Sequence, residues 1–171
     1  MTSVVRLRPI ELSDAGRIHE WASQELACRY QGWGPNSVAQ TAEFVADAAR
    51  TWREPSLRRV WAATTVSDGV VGMGESTRCS ESCSEIGYAV HVDHWSRGLG
   101  TEIARLLVAE GFGDPQVERV QATCDPRNVA SSRVLRRAGM SVEGTLRHTM
   151  RVRDGWRDST MHSVLRHEWS P

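Results

Sequence analysis

The chain has 171 residues, 40% of them hydrophobic and 25% charged, with a formal net charge of zero. That length suits one domain, residues 1–171, with a sizeable single core, and the composition is ordinary for a soluble globular protein. No apolar run approaches the roughly 18 residues of a membrane span, and the N-terminus lacks the long apolar centre of a secretion signal, so no membrane association and a cytoplasmic location are expected.

Charge is unevenly placed: residues 127–171 hold nine Arg against four Asp and Glu, an excess of +5 that the remainder balances. A basic C-terminal third suits an anionic ligand on that side. It does not suit nucleic acid, because no dense basic run is interleaved with aromatics. Of four cysteines, Cys79 and Cys83 stand four apart, with His91 and His94 beyond them. Structural zinc sites use tighter paired spacings, so a polar hairpin loop is expected there and no metal. Disulfides are not expected in a reducing cytoplasm.

In chain order, Val4-Val-Arg-Leu-Arg8 alternates and predicts a first strand. Ser13-Asp14 caps a helix with Ile18, Trp21, Ala22 and Leu26 at helical spacing. Gly32-Trp-Gly-Pro35 is a loop, and Asn36 or Ser37 opens a second helix with Val38, Ala42, Val45, Ala49 and Trp52 on one face. Val60–Val66 and Val70–Gly74 form a hairpin around Ser67-Asp-Gly69. A strand over 84–92, a helix over 100–112, a strand over 117–124 and a helix over 128–138 follow. Two closing strands are predicted near 141–152 and 159–168, turning at Asp154-Gly155.

The stretch Trp95-Ser-Arg-Gly-Leu-Gly-Thr101 joins an apolar strand to a helix start. Gly98 and Gly100 let the backbone approach an anion closely, and the first helical N–H groups point at it, which is the layout of a phosphate site. A second segment, Val120 to Met140, reads as strand, break at Asp125-Pro126, helix capped at Asn128 and stop at Gly139. No Gly-Lys-Ser/Thr follows the first turn, which disfavours a P-loop nucleotide enzyme.

Asn128-x-Ala-Ser-x-Arg-Val-Leu-x-x-x-Gly-Met140 after a strand resembles the coenzyme A-binding end of the GNAT acetyltransferases. Glu85-Ile-Gly-Tyr88, Trp95-Ser-Arg-Gly98, Thr101-Glu102 and Gly155-x-x-Asp158 are similar to their RimJ/RimL-type branch. The resemblance implies an α/β (α+β) fold: a central, mostly antiparallel mixed sheet of about seven strands flanked by about four helices. It implies an acetyl-CoA-dependent N-acetyltransferase working by direct attack of a primary amine in a ternary complex. The acceptor would be a protein N-terminal α-amine or a small molecule such as an aminoglycoside-like amine. A non-catalytic acyl-CoA-binding module is the reading from another class. Relatives in this branch are often dimers, so a homodimer is expected.

By the same resemblance, the backbone of Arg97, Gly98, Leu99, Gly100 and Thr101 would hold the pyrophosphate. Trp95 departs from the Gln or Arg usual at the start of that signature. The strand through Val90 and Val92 would face the pantetheine arm, with a backbone N–H near Val90 as oxyanion donor. Asn128 would both cap its helix and bind the arm. The tyrosine that many relatives carry in the last helix is Leu135 here; the RimJ/RimL-type resemblance implies that Ser131, three residues after Asn128, protonates or orients the leaving thiolate. Glu85 resembles the water-relayed base of several relatives. His91, His94 and His148 rival it because histidine titrates near neutrality, and the RimL-type glutamate position holds Met150. Trp33, in a loop between two early helices, would lie nearest the acceptor, and Cys124 is read as a buried strand residue.

Overall fold

The computed structural model describes residues 4–153 and 155–170. Seven strands form one sheet: β1 (Arg6–Pro9), β2 (Arg58–Thr65), β3 (Gly69–Ser80), β4 (Cys83–Val90), β5 (Arg119–Cys124), β6 (Ser141–Val152) and β7 (Gly155–Leu165). Their spatial order is β1-β2-β3-β4-β5-β7-β6. Every neighbouring pair is antiparallel except β4 and β5. Parallel neighbours need a crossover rather than a hairpin, and α4 (Leu99–Phe112) supplies it. The other helices are α1 (Ala15–Ala22), α2 (Glu25–Cys28), α3 (Val38–Arg50) and α5 (Val129–Arg137).

Strand alternation builds two cores on the two faces of the sheet. Val60 and Ala62 of β2 face Ile18 and Trp21 of α1 and Val45 and Ala48 of α3. Trp61 and Ala63 face the other way, into a cluster with Ile103, Leu107 and Val108 of α4 and Leu135 of α5. Burial on both sides explains why β2 reads as a continuous apolar run. Close packing of α4 is visible at Gly74 of β3, where an added Cβ would lie 2.8 Å from Leu107 Cδ1. Strand β6 is the far edge, and its residues from Ser141 to Arg151 are exposed.

The first predicted helix is divided. Leu12–Asp14 form a 3-10 turn, α1 ends at Ala22, and α2 is a separate turn. Asp14 is buried and accepts from the Glu11 N–H at 2.9 Å and from Arg8 at 2.6 Å. It therefore ties β1 to the turn before α1 instead of capping α1 through its side chain. Leu26 does not continue the buried stripe; it is 54% exposed. Ser37 is the N-cap of α3, in a capping box with Gln40. The buried face of α3 runs through Thr41, Val45, Ala48 and Ala49, while Val38 and Ala42 face solvent. Strand β4 stops at Val90, so Val92 sits in a 3-10 turn (Val92–His94) rather than on the strand. Strand β7 begins at Gly155 and ends at Leu165; Asp154 of the predicted turn lies outside the described residues. Among the described residues, no helix is long and apolar enough to cross a membrane.

Candidate functional site

Strands β4 and β5 pair only over Cys83–Glu85 with Arg119–Gln121. Beyond that rung β4 continues along β3 to Val90, and β5 continues along β7 to Cys124, so the two diverge into a wedge. The His91 N–H donates to Val71 O across the β3 side at 2.9 Å. Alternation then points the N–H groups of Val90 and Tyr88 into the wedge, beyond the last rung shared with β5. The Trp95 indole folds back over the opening, its Nε1 donating to Val90 O at 2.9 Å.

The glycine turn lies at the mouth of this wedge. Gly98 is the N-cap of α4 with φ 82, and Ser96 is also left-handed with φ 62. Glycine adopts that conformation freely, and closely spaced left-handed residues make an N–H-lined concavity that suits anions. The N–H groups of Thr101 and Glu102 both return to Gly98 O. Helix geometry leaves those of Leu99 and Gly100 without an intrahelical acceptor. A Cβ at Gly100 would meet Val134 Cγ2 at 3.5 Å and Tyr88 Cε2 and Val90 Cγ2 at 3.6 Å, so β4, α4 and α5 converge there.

Arg97 is held beside the turn by Asp68 at 3.3 Å and by His94 Nδ1. Burial pushes the His94 imidazole below its ordinary value, and the Arg97, His91 and Arg17 charges push the same way against Asp68. His91 is buried beside Trp21 and faces Glu20. Neither histidine reaches the wedge floor. His148 lies on the edge strand, stacked on Trp156 with ring centroids 5.9 Å apart. Cys79 and Cys83 are at the β3–β4 hairpin tip, at the opposite end of β4 from His91 and His94, so these four do not converge.

Across the wedge from Tyr88, the Asn128 side chain accepts from the Ser131 N–H at 3.0 Å and caps α5 as the sequence predicts. Asp125 is buried, its carboxylate held by Arg127 N–H, Nε and Nη2. Burial raises that carboxyl, but the Arg127 bonds outweigh it and the group stays below the usual carboxylate range. Ser131 reaches across to Tyr88, Oγ to phenol oxygen, at 2.9 Å. Desolvation pushes the thiol of the buried Cys124 upward. The sequence quotes Tyr88 in a motif but assigns it no role. The available signal is its position two residues before Val90, on the same strand face. Leu135 is in the core at 1% exposure, so nothing on α5 substitutes there for a phenol.

Glu85 occupies the last paired rung, on the opposite face of β4 from Tyr88. Its Oε2 accepts from Gln121 Nε2 at 2.8 Å, and Gln121 Oε1 accepts from Arg119 Nε at 3.1 Å. Five residues separate Glu85 from Val90, about 16 Å along an extended strand. The structure therefore groups Tyr88, Val90, Gly100, Asn128 and Ser131, and sets Glu85 apart at the deep end. Trp33 is half-buried against the core between α1, α3 and the sheet. Met150 packs onto Gly32 in the same loop. A hollow of about 570 Å³ between α2 and the end of the β6–β7 hairpin, lined by Glu25, Arg29 and Arg153 among others, contains none of the sequence-predicted residues.

A family model described as "Acetyltransferase (GNAT) domain" matches residues 5–141. The uncharacterized N-acetyltransferase YnaD of Bacillus subtilis is 30% identical over 90 residues, an alignment spanning 53% of each chain. The uncharacterized N-acetyltransferase p20 of Bacillus licheniformis is 25% identical, covering 99% of this chain and 97% of that one. Among solved structures, a GNAT-family acetyltransferase from Bacillus anthracis superposes with a TM-score of 0.84 at 23% identity, covering 96% of both chains. The ribosomal L7/L12 alpha-N-protein acetyltransferase RimL superposes at 0.82 with 17% identity, covering 96% and 91%. With the parallel pair opening into a wedge and the glycine turn at the start of the crossover helix, these matches establish that this chain belongs to the GNAT acetyltransferase family.

Proposed function

We propose that the protein transfers an acetyl group from acetyl-CoA to a primary amine, and that its acceptor is a protein N-terminal α-amine, as in the RimJ/RimL-type branch. The turn around Gly98 and Gly100 holds the pyrophosphate through backbone N–H groups and the α4 N-terminus. The pantetheine arm then runs into the wedge past Val90 and Asn128, carrying the thioester toward Ser131. The Tyr88 N–H, two residues deeper than Val90 on the same edge, becomes the donor for the acetyl oxygen. Glu85 lies about 10 Å further along the strand and takes the amine proton through water. The amine attacks the carbonyl carbon, the C–N bond forms, the C–S bond breaks, and the thiolate leaves beside Ser131.

The observation that carries the acceptor choice is the charge balance around Glu85. Of the glutamates beside it, Glu75 is bridged to Arg58 and Glu143 to Arg119. Among the described residues, Glu85 is held by the neutral amide of Gln121 instead. A polycation needs several open carboxylates, whereas a single amine needs one. The deciding experiment measures acetyl-CoA turnover with N-terminal peptides, a polyamine and an aminoglycoside. Peptide acetylation at the α-amine supports the proposal. Preference for the polycations moves the acceptor to a small molecule, and acetyl-CoA binding without turnover makes the chain a binding module.

A further inference from the structure

Ser131 stands where the leaving thiolate arrives, yet a serine hydroxyl rotates freely and its proton can point elsewhere. The structure removes that freedom. The Tyr88 phenol lies 2.9 Å from Ser131 Oγ and 3.4 Å from the Ser131 carbonyl oxygen. The shorter line is the one within ordinary O–H···O range. We infer that Tyr88 is a positioning residue, its phenol donating to Ser131 Oγ so that the serine proton faces the sulfur of the departing thiolate. This rests on the acetyltransferase reading above and adds to it the residue that sets the serine's direction.

Two observations support the assignment. The Tyr88 ring is fixed, packed against the α4 core and beside Gly100. Burial pushes the phenol up to about 12, against the lowering effect of Ser131, so it keeps its proton and remains a donor at any working pH. No net proton moves through Tyr88. The C–S electron pair goes to sulfur, the serine hydrogen bond stabilises it, and the proton given up by the amine balances the one the thiolate finally takes from solvent.

The test uses Tyr88→Phe, Ser131→Ala, Ser131→Thr and the Tyr88→Phe/Ser131→Ala double variant in the full chain. Tyr88→Phe keeps the ring, so the packing survives. The first readout needs no turnover: the thiol pKa of bound CoA, followed by thiolate absorbance across pH. A lost hydrogen bond to the thiolate should raise it by about one unit in each single variant, and the double variant should go no further. The second is thiol release from acetyl-CoA, with an amine or with water as nucleophile, where kcat should drop about tenfold at unchanged acetyl-CoA KM. Ser131→Thr, which retains a hydroxyl, should keep the bound-CoA thiol pKa and kcat close to wild type. If Tyr88→Phe matches wild type, or costs as much without Ser131 as with it, the inference is overturned while the acetyltransferase reading stands. If the wild type binds no CoA, both fall together.

Discussion

The Gln121 side chain donates through Nε2 to Glu85 Oε2 at 2.8 Å, on the last rung that the parallel strands share. Arg119 fixes the other end of the amide, and Glu143 fixes Arg119 through two bonds of 2.6 Å. The carboxylate at the deep end of the wedge is thus held in place by a neutral group, which Arg119 in turn holds.

This arrangement sets the expectation for Glu85→Gln. The isosteric amide keeps the shape but cannot accept a proton. Turnover should fall by about a hundredfold near neutral pH, with acetyl-CoA affinity unchanged. Raising the pH should restore much of the rate, because free amine then forms without help. A pH–rate profile parallel to wild type, or full loss in a His91→Ala or His148→Ala variant instead, would sink the assignment.

The two glycines of the turn should respond differently to alanine. A Cβ on Gly98 meets nothing within 4 Å, but its φ of 82 is unfavourable for any L side chain. Gly98→Ala should therefore cost about 1 kcal/mol of stability, read by thermal melting. Gly100 has ordinary φ, and its Cβ would stand in the groove between Tyr88, Val90 and Val134. Gly100→Ala should leave the melt nearly unchanged and weaken acetyl-CoA binding about tenfold, read by calorimetry. Equal affinities in the two variants would mean that the groove is not the path of the arm.

Asn128→Ala removes the acceptor for the Ser131 N–H and should cost about 1 kcal/mol. If the side chain also holds the pantetheine arm, acetyl-CoA affinity should fall further than the melt shift accounts for. Normal affinity in a destabilised variant would leave Asn128 with capping alone.

Stability should fall on acidification in two separate windows. His162 is buried, its Nε2 facing Ser132 Oγ at 3.0 Å, and burial lowers it from the ordinary 6.5. The folded ring stays neutral while the unfolded ring takes a proton, so stability decreases as the pH drops below about 6.5. Glu143 is held at about 2, against an ordinary 4.5, by Arg119 and Ser163. Its contribution is present above 4.5 and is lost as the pH falls from there toward 2. Melting curves across pH should show both slopes. His162→Gln should reduce the upper one, which His94 shares, and leave the lower; an unchanged upper slope would assign it to His94 alone.

Much of this protein is legible along the chain because its signals are local. The glycine turn, the Asn128 cap, the helix start at Asn36 or Ser37 and the apolar run of β2 each depend on backbone propensity or alternation within a few residues. The division of the first helix was not legible. Ser23-Gln24 carries no strong breaker, and the return of the chain beneath α3 ends α1 there, the Asn36 N–H reaching back to Ala22 O at 2.8 Å. The exposed Leu26 and Val38 show the same limit: helical spacing marks a possible stripe, but the neighbouring elements choose which side is buried.

The candidate site divides along the same line. Sequence by itself determined that a glycine turn opens α4, and that Asn128 and Ser131 share one helix start. Only the tertiary structure decided that β4 and β5 part after Glu85, that Tyr88 meets Ser131 across 43 positions, that Gln121 holds Glu85 across 36, and that His91 and His94 are turned away beneath α1. Those relationships follow from strand register and from which helix covers which face. The packing of elements distant in the chain settles both, and no single segment's pattern encodes them.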